Sequence, residues 1–178
     1  MLDAYGYFGE AKGKKPGDKG AIVGETMDEV IADFGGFDIH DFSFGVENVV
    51  NVGSSSGGLG SGRVELERVE FSKNTDTATA ALVLAACTGR HVDEFHISLR
   101  KGGGDVKRSG GEFIHITMKN VVVESVKWAG ADGDETLKDN VVMAFAGIKI
   151  VYSKQDMKGE LTSGGAVEWN QTTNTPKM

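Results

Sequence analysis

The chain carries one short apolar helix in a sequence whose other patterned stretches alternate with the period of strands. Residues 80–87 contain no polar side chain, and the polar residues 74–77 before them can cap exposed backbone N–H groups. Gly89 is the residue type that most easily adopts the left-handed conformation that ends a helix. No amphipathic stripe can be drawn through so apolar a helix, and we therefore expect it to be covered on more than one side.

Alternation with a period of two dominates on both sides of the triple glycine 102–104. Apolar Phe95, Ile97 and Leu99 alternate with polar residues, and the same pattern runs from 114 to 119. A hairpin over this loop is predicted to place His96 opposite His115, and Ile97 opposite Ile114. The pattern predicts about eight strands, the others lying near residues 3–8, 37–49, 63–73, 121–128, 140–152 and 159–169.

Three local irregularities refine this mainly β prediction. The alternation changes phase near Glu67-Arg68, which indicates a bulge or sharp bend. Residues 141–146 are apolar at every position, as in a strand covered on both faces by the helix or a neighbouring subunit. Thr26 and Glu29 have the spacing of a capping box, so a second helix is possible before Gly35-Gly36.

Size and charge exclude several classes of protein. The 178 residues fit a single domain, 1–178, and 26 acidic against 19 basic residues leave a net charge of -7. No basic cluster with interleaved aromatics occurs, so no nucleic-acid partner is expected. The longest apolar run is far shorter than the roughly 20 residues of a membrane span, and the first residues do not match a Sec signal peptide. Cys87 is the single cysteine, and we expect it to be a buried structural thiol.

The candidate catalytic and metal-binding patterns are incomplete. His96 and His115 on neighbouring strands could bind a transition metal with Glu94 as a third ligand, but solvated side chains are the better interpretation. Residues 132–134, Asp-Gly-Asp, lack the remaining ligands of a calcium loop. The glycine-rich residues 57–62 precede a strand pattern rather than the helix that a phosphate loop needs. The sequence therefore predicts no enzyme, no metal and no cofactor.

Six motifs in order carry a resemblance to a known family. They are Asp41-Phe42-Ser43-Phe44-Gly45-Val46, the Gly/Ser loop after it, Gly62-Arg63-Val64-Glu65, the segment from Asp76 to His91, Arg100-Lys101-Gly102-Gly103-Gly104, and Gly165-Ala166-Val167-Glu168-Trp169-Asn170. From Tyr5 to Asn174 the chain resembles the haemolysin-coregulated proteins, the Hcp family of the type VI secretion system.

The resemblance implies a closed antiparallel β-barrel of about eight strands with one flanking α-helix. It also implies six copies in a ring, with rings stacked into the inner tube that a contractile sheath expels. The implied partners are further copies of the chain and the spike protein, sheath and effectors of the same system, without membrane insertion. The implied location is the bacterial cytoplasm during assembly, followed by export through type VI secretion.

Two sets of residues are candidates for contacts in such a tube. The resemblance makes the loop 51–62 the candidate ring-to-ring contact, with the residues Ser54, Ser55, Ser56, Leu59 and Ser61. We further hypothesise that one polar strand face lines the channel and contacts small effectors, through His96, Ser98, Arg100, His115, Thr117 and Lys119. The alternatives are a monomeric β-barrel that binds a small ligand, or a metal-dependent enzyme built on the two histidines.

Overall fold

The computed structural model describes residues 2–51, 60–101, 111–130, 136–155 and 161–178. The strands are β1 (Leu2–Phe8), β2 (Phe37–Ile39), β3 (Asp41–Ser43), β4 (Val46–Asn51), β5 (Gly60–Leu66), β6 (Val69–Asn74), β7 (His91–Lys101), β8 (Glu112–Ala129), β9 (Lys138–Ala144), β10 (Gly147–Gln155) and β11 (Leu161–Asn170). The helices are a 3-10 turn (Gly9–Ala11), α1 (Glu29–Ala32) and α2 (Thr77–Thr88).

The described residues thus form more strands than the eight predicted. The predicted strand 37–49 is divided into β2, β3 and β4, and the predicted strand 140–152 is divided into β9 and β10. In contrast, residues 112–129 form one continuous strand, β8. The bend predicted at Glu67-Arg68 is confirmed, since β5 ends at Leu66 and β6 begins at Val69.

Helix α2 begins and ends where the sequence predicts. The Asp76 carboxylate accepts a hydrogen bond from the Ala78 backbone N–H at 2.9 Å, and the Asp76 N–H donates to the Thr79 hydroxyl at 3.1 Å. Gly89 follows the last turn with φ of 61°, in the left-handed region. These two ends fix the length of the helix.

The expectation that α2 is covered on more than one side is wrong for the single chain. Its buried residues, Ala78, Thr79, Leu82 and Ala85, lie on one face, and the helix packs on β8. Leu84 on another face is 63% exposed. Cys87 is also exposed, so the expected buried thiol is wrong, because Cys87 lies three residues after Leu84 and therefore shares its side of the helix.

The second helix is present but shorter than predicted. It comprises only Glu29–Ala32, and Asp28 caps it by accepting hydrogen bonds from the N–H groups of Val30 and Ile31. The predicted capping box on Thr26 is therefore wrong. The Thr26 hydroxyl instead donates to the Asp38 carboxylate at 2.7 Å, which fastens this segment to β2.

The main sheet is open, and its two end strands are neighbours in the chain. Its strand order is β2-β1-β7-β8-β9-β6-β3, with β10 on the first half of β8, β11 on β10, and β4-β5 as a separate two-stranded sheet. The end strands β2 and β3 are consecutive in the chain, with only His40 between them. The His40 N–H donates to the Ser72 carbonyl of β6 at 2.9 Å, so both ends of the sheet meet at this residue.

The β7–β8 pairing keeps the predicted faces in a shifted register. Ile97 lies opposite Ile116 and His96 opposite Thr117, two residues from the predicted partners on β8. Because an even shift returns each side chain to the same face, the polar and apolar faces are as predicted. The shift places the two histidines diagonally rather than directly opposite each other.

Aromatic rings pack together on one side of the main sheet. Phe95 is fully buried, with its ring centroid 4.9 Å from that of Phe8 and 5.4 Å from that of Phe71. The apolar run 141–146 contributes buried Val141, Met143 and Phe145 to this core, whereas the residues between them are half-buried. In the single chain, residues 141–146 are therefore fully covered on one face and only partly covered on the other.

Candidate functional site

Polar side chains share the side of β1, β7 and β8 opposite the aromatic core. Strand partners point to the same face, and Tyr7 is opposite His96, which is opposite Thr117 on the next strand. We call this surface the polar face. Its members are Tyr7, Glu94, His96, Ser98, Arg100, Glu112, His115, Thr117 and Lys119.

The two histidines form the centre of a continuous chain of contacts. His96 Nδ1 lies 3.1 Å from His115 Nε2, and His115 Nδ1 lies 2.7 Å from Glu112 Oε1. At the other end, His96 Nε2 lies 3.3 Å from Glu94 Oε2. Lys119 Nζ then lies 3.4 Å from the second oxygen of the Glu94 carboxylate. Each imidazole therefore lies between the other imidazole and one carboxylate.

Tyr7 covers one side of this histidine pair. Its ring stacks on His96 with a centroid distance of 4.6 Å and an interplanar angle of 11°. The Phe34 ring lies on Tyr7 at 4.9 Å, so the segment after α1 covers the tyrosine. Burial, reinforced by the negative charges of Glu112 and Glu94, raises the pKa of Tyr7 to about 12.

The surroundings shift the proton affinities of the titrating groups in this chain. Burial lowers the pKa of His96, and repulsion from His115 lowers it further, whereas Glu94 and Glu112 oppose both effects. Burial alone would raise the pKa of Glu112. The hydrogen bond from His115, together with the charges of His115 and Arg100, reverses that effect, and the pKa of Glu112 lies below its ordinary value.

The six residues predicted to line a channel differ in their accessibility. Ser98 is buried, and Arg100 is only 13% exposed because its Nη1 donates to both oxygens of Asp28, at 3.0 and 2.9 Å. His96 and Thr117 are half-buried. The side chains of His115 and Lys119 are 27% and 41% exposed, more than those of His96 and Arg100, which are both 13% exposed.

The geometry of the histidines is unsuited to a shared metal ion. His96 Nδ1 and His115 Nε2 point at each other across 3.1 Å, so no space for a cation remains between the two nitrogens. Within the described ranges, no three His, Cys, Asp or Glu side chains converge on one point. The acidic turn considered as a calcium loop includes residues 132–134, which lie outside the described residues.

The predicted ring-to-ring residues fall mostly outside the described part of the chain. This applies to Ser54, Ser55, Ser56 and Leu59. Ser61 lies in β5, opposite Val50 of β4. The two strands lead into and out of the loop as an antiparallel pair separate from the main sheet.

Sequence reasoning missed three functional contributors on the polar face. Tyr7 could have been placed there by its period-two position on β1, but the pairing of β1 with β7 was not predicted. Glu112 lies three residues before His115 and reaches it across a single strand. Asp28 approaches Arg100 from a segment 72 residues away, and no local pattern reveals such a contact.

An apolar groove lies beside the exposed face of α2. It has a volume of about 730 Å³ and is bounded by the helix residues Ala80, Ala81 and Leu84 and by the segment 16–21. Arg90 also lines the groove, and its Nη2 donates to Glu10 at 2.9 Å while its Nη1 donates to the Gly20 carbonyl.

Within the described ranges, none of the helices has the length and apolar character needed to cross a membrane.

Known structures share this fold over nearly the whole chain. A structure described as a type six secretion system protein matches with a TM-score of 0.83 and 22% identity, and the match covers 99% of this chain and all of that one. Hcp1 from Salmonella typhimurium matches with a TM-score of 0.71 and 18% identity, covering 99% of both chains. At these identities, the likeness establishes the fold.

Sequence comparison identifies the family. Protein hcp1 of Pseudomonas aeruginosa is 33% identical over 110 residues, which are 61% of this chain and 65% of that relative. The match thus spans slightly less than two thirds of the relative's length. Residues 13–152 match the family described as type VI secretion system effector, Hcp. The chain therefore belongs to the Hcp family of type VI secretion system proteins.

Proposed function

We propose that this chain is a building block of the secretion tube, and that six copies form a ring whose stacked copies make the inner tube. Family membership and the shared fold with Hcp1 from Salmonella typhimurium support this role. Assembly takes place in the bacterial cytoplasm, and the tube leaves the cell through the type VI secretion machine.

We also propose that each subunit is a closed β-barrel. The support is the position of His40, which alone separates the two end strands β2 and β3 of the main sheet. Unpaired strand edges invite uncontrolled pairing with other chains. Closure at His40 would remove two such edges. Assembly would then depend on specific side-chain surfaces rather than on free strand edges.

The observation that best supports ring formation is the uncovered face of α2. The helix is apolar all round, yet the single chain buries only one of its sides and leaves Leu84 63% exposed beside the apolar groove. An exposed contiguous apolar patch marks an interaction surface. We assign this surface to contact with a second copy, because a ring needs an extensive apolar contact between neighbouring subunits.

Stacking of rings is assigned to the loop between β4 and β5. Its two strands form a sheet of their own, with Val46 opposite Leu66 at the base, so the loop starts from a defined hairpin. A head-to-tail contact repeats without closing and therefore builds a filament. Leu59 is the large apolar side chain of this loop and is our proposed anchor for the contact.

The polar face is our proposed channel lining, with the sheath outside the tube and the spike protein at its tip. His115 and Lys119 are more exposed than His96 and Arg100 and are the expected effector contacts. Arg100 and Ser98 would support the face from within. This division follows from their burial and from the Arg100–Asp28 ion pair.

The α2 assignment can be tested with one charge on the helix. We expect Leu84→Glu to reduce ring assembly at least tenfold in sedimentation velocity, because the change buries a carboxylate in the contact. Met27→Glu is the matched control, since Met27 is 93% exposed and lies far from the helix in sequence. Unchanged assembly of Leu84→Glu would contradict the assignment, and a wild-type monomer with a bound small molecule would favour a ligand-binding barrel.

A further inference from the structure

We propose that His96 and His115, held between Glu94 and Glu112, bind one shared proton and make the polar face responsive to pH. The proposal concerns the folded chain and does not depend on tube assembly. Three successive contacts join these four side chains. Glu94 and His96 are 3.3 Å apart, His96 and His115 are 3.1 Å apart, and His115 and Glu112 are 2.7 Å apart.

The number of N–H groups on the two imidazoles explains why a single extra proton suits this arrangement. A neutral imidazole has one N–H and one acceptor nitrogen, whereas a carboxylate only accepts. Two neutral histidines supply two N–H groups for the three contacts, and the Thr117 hydroxyl, 3.3 Å from His96 Nδ1, is a further hydrogen-bond partner of that nitrogen. One contact must then bring two acceptors together, either at Glu94, at Glu112 or between the rings.

One additional proton gives each of the three contacts a donor. With a single charge on the pair, His96 Nε2–H faces Glu94 as an ion pair, His115 Nδ1–H donates to Glu112, and the third hydrogen lies between His96 Nδ1 and His115 Nε2. The two carboxylates stabilise that charge, and hydrogen bonds between charged groups are stronger than those between neutral ones. The singly protonated pair is therefore the state that the geometry satisfies.

A second proton is opposed by the same geometry. Both nitrogens between the rings would then carry hydrogens and face each other as donors across 3.1 Å. Two positive charges would also share a half-buried site, where charge repulsion is weakly screened. The lowered pKa of His96 has this origin in part, since repulsion from His115 adds to the effect of burial.

The surrounding charges favour uptake of a proton by the pair. Glu94, Glu112 and Asp28 make ion pairs on the face, and its cations are Arg100 and Lys119. Asp3 of β1 lies opposite Arg100, so carboxylates outnumber cations around the two histidines. On β1, Tyr7 faces the histidine pair and remains neutral. On β10, Lys149 lies opposite Glu168 of β11.

Strong acid should alter the contacts of this face. Tyr7 stacks on His96 at 4.6 Å, and Phe34 covers Tyr7 at 4.9 Å. Separation of the two rings on uptake of the second proton would disturb both stacks. The pair therefore couples local pH to the packing of the segment around α1.

The test is a titration of the full chain labelled with ¹⁵N at histidine, followed by two-bond ¹H–¹⁵N correlation spectra. The chain has four histidines, and exposed His91 is an internal reference. We expect two separate uptake steps at His96 and His115. The first should occur at a pH no lower than that of His91, and the second more than about 1 pH unit below the first.

Two variants distinguish coupling from a general loss of structure. In His96→Phe, which retains a ring against Tyr7, and separately in His115→Gln, we expect the remaining histidine to titrate in one step. A first uptake below that of His91 would overturn the proposal. A single wild-type step for both residues, or a separation that persists unchanged in both variants, would also overturn it.

Discussion

The ammonium nitrogen of Lys73 lies 3.1 Å from Asp139 Oδ2, and both side chains are 0% exposed. The same nitrogen donates to Asp76 Oδ1 at 2.6 Å and to the Asn74 carbonyl at 2.8 Å. Asp139 accepts a hydrogen bond from Thr75 Oγ1 at 2.6 Å. This buried ion pair joins β6 and β9 to the first turn of α2.

We expect removal of one partner of this pair to be severely destabilising. Lys73→Met should lower the free energy of unfolding by about 3–5 kcal/mol, because Asp139 then remains charged and buried without its counter-ion. The double variant Lys73→Met/Asp139→Leu should recover at least part of that loss. Urea denaturation measures both, and a Lys73→Met loss below about 1 kcal/mol would show that the pair contributes little.

A close backbone approach predicts that Gly24 does not tolerate a methyl group. A Cβ at Gly24 would lie 2.6 Å from both the Gly36 carbonyl oxygen and Phe37 Cβ. We expect Gly24→Ala to cost about 1–3 kcal/mol through overpacking. Gly147→Ala is the control, since its Cβ would meet its neighbours at 3.4 Å or more. Equal thermal denaturation midpoints for the two variants would contradict this account.

Charge reversal should separate Arg100 from Lys119. Arg100→Glu faces the Asp28 carboxylate and should release the cap of α1, so amide hydrogens at residues 29–32 should exchange at least tenfold faster. Lys119→Glu changes a side chain that is 41% exposed and should leave that exchange unchanged. Similar exchange in the two variants would show that the ion pair does not hold α1.

The pH dependence of stability follows from the lowered pKa of His96. Between this pKa and the ordinary value near 6.5, the unfolded chain binds more protons than the folded chain. Stability should therefore fall as the pH drops below about 6.5, with a contribution no steeper than about 1.4 kcal/mol per pH unit. Urea unfolding at several pH values should show a weaker dependence in His96→Phe. An unchanged dependence would contradict the assignment.

Local patterns predicted much of this fold because their signals are local. The limits of α2 follow from Asp76 and Gly89, and the faces of β7 follow from alternation around Ile97. The bend at Glu67-Arg68 was visible as a change of phase. In each example, the sequence pattern and the structure depend on residues within a few positions of each other.

The errors concern relationships between distant segments. A bulge between Leu99 and Arg100 in the β7–β8 pairing accounts for one of the two residues of the register shift, and a bulge in a hairpin is not visible in the alternation around Ile97. The exposure of Cys87 depends on which side of α2 packs on β8, and a uniformly apolar helix contains no stripe that selects a side. The Arg100–Asp28 contact depends on chain folding across 72 residues.

Tube formation is tested most directly by electron microscopy of the purified chain, with its particle mass measured by native mass spectrometry. We expect six-fold rings with a mass six times that of the 18.9 kDa chain. Stacks should appear as the protein concentration rises. A particle with the mass of one chain at every concentration, without rings in the images, would contradict the proposal that the molecule acts by assembly.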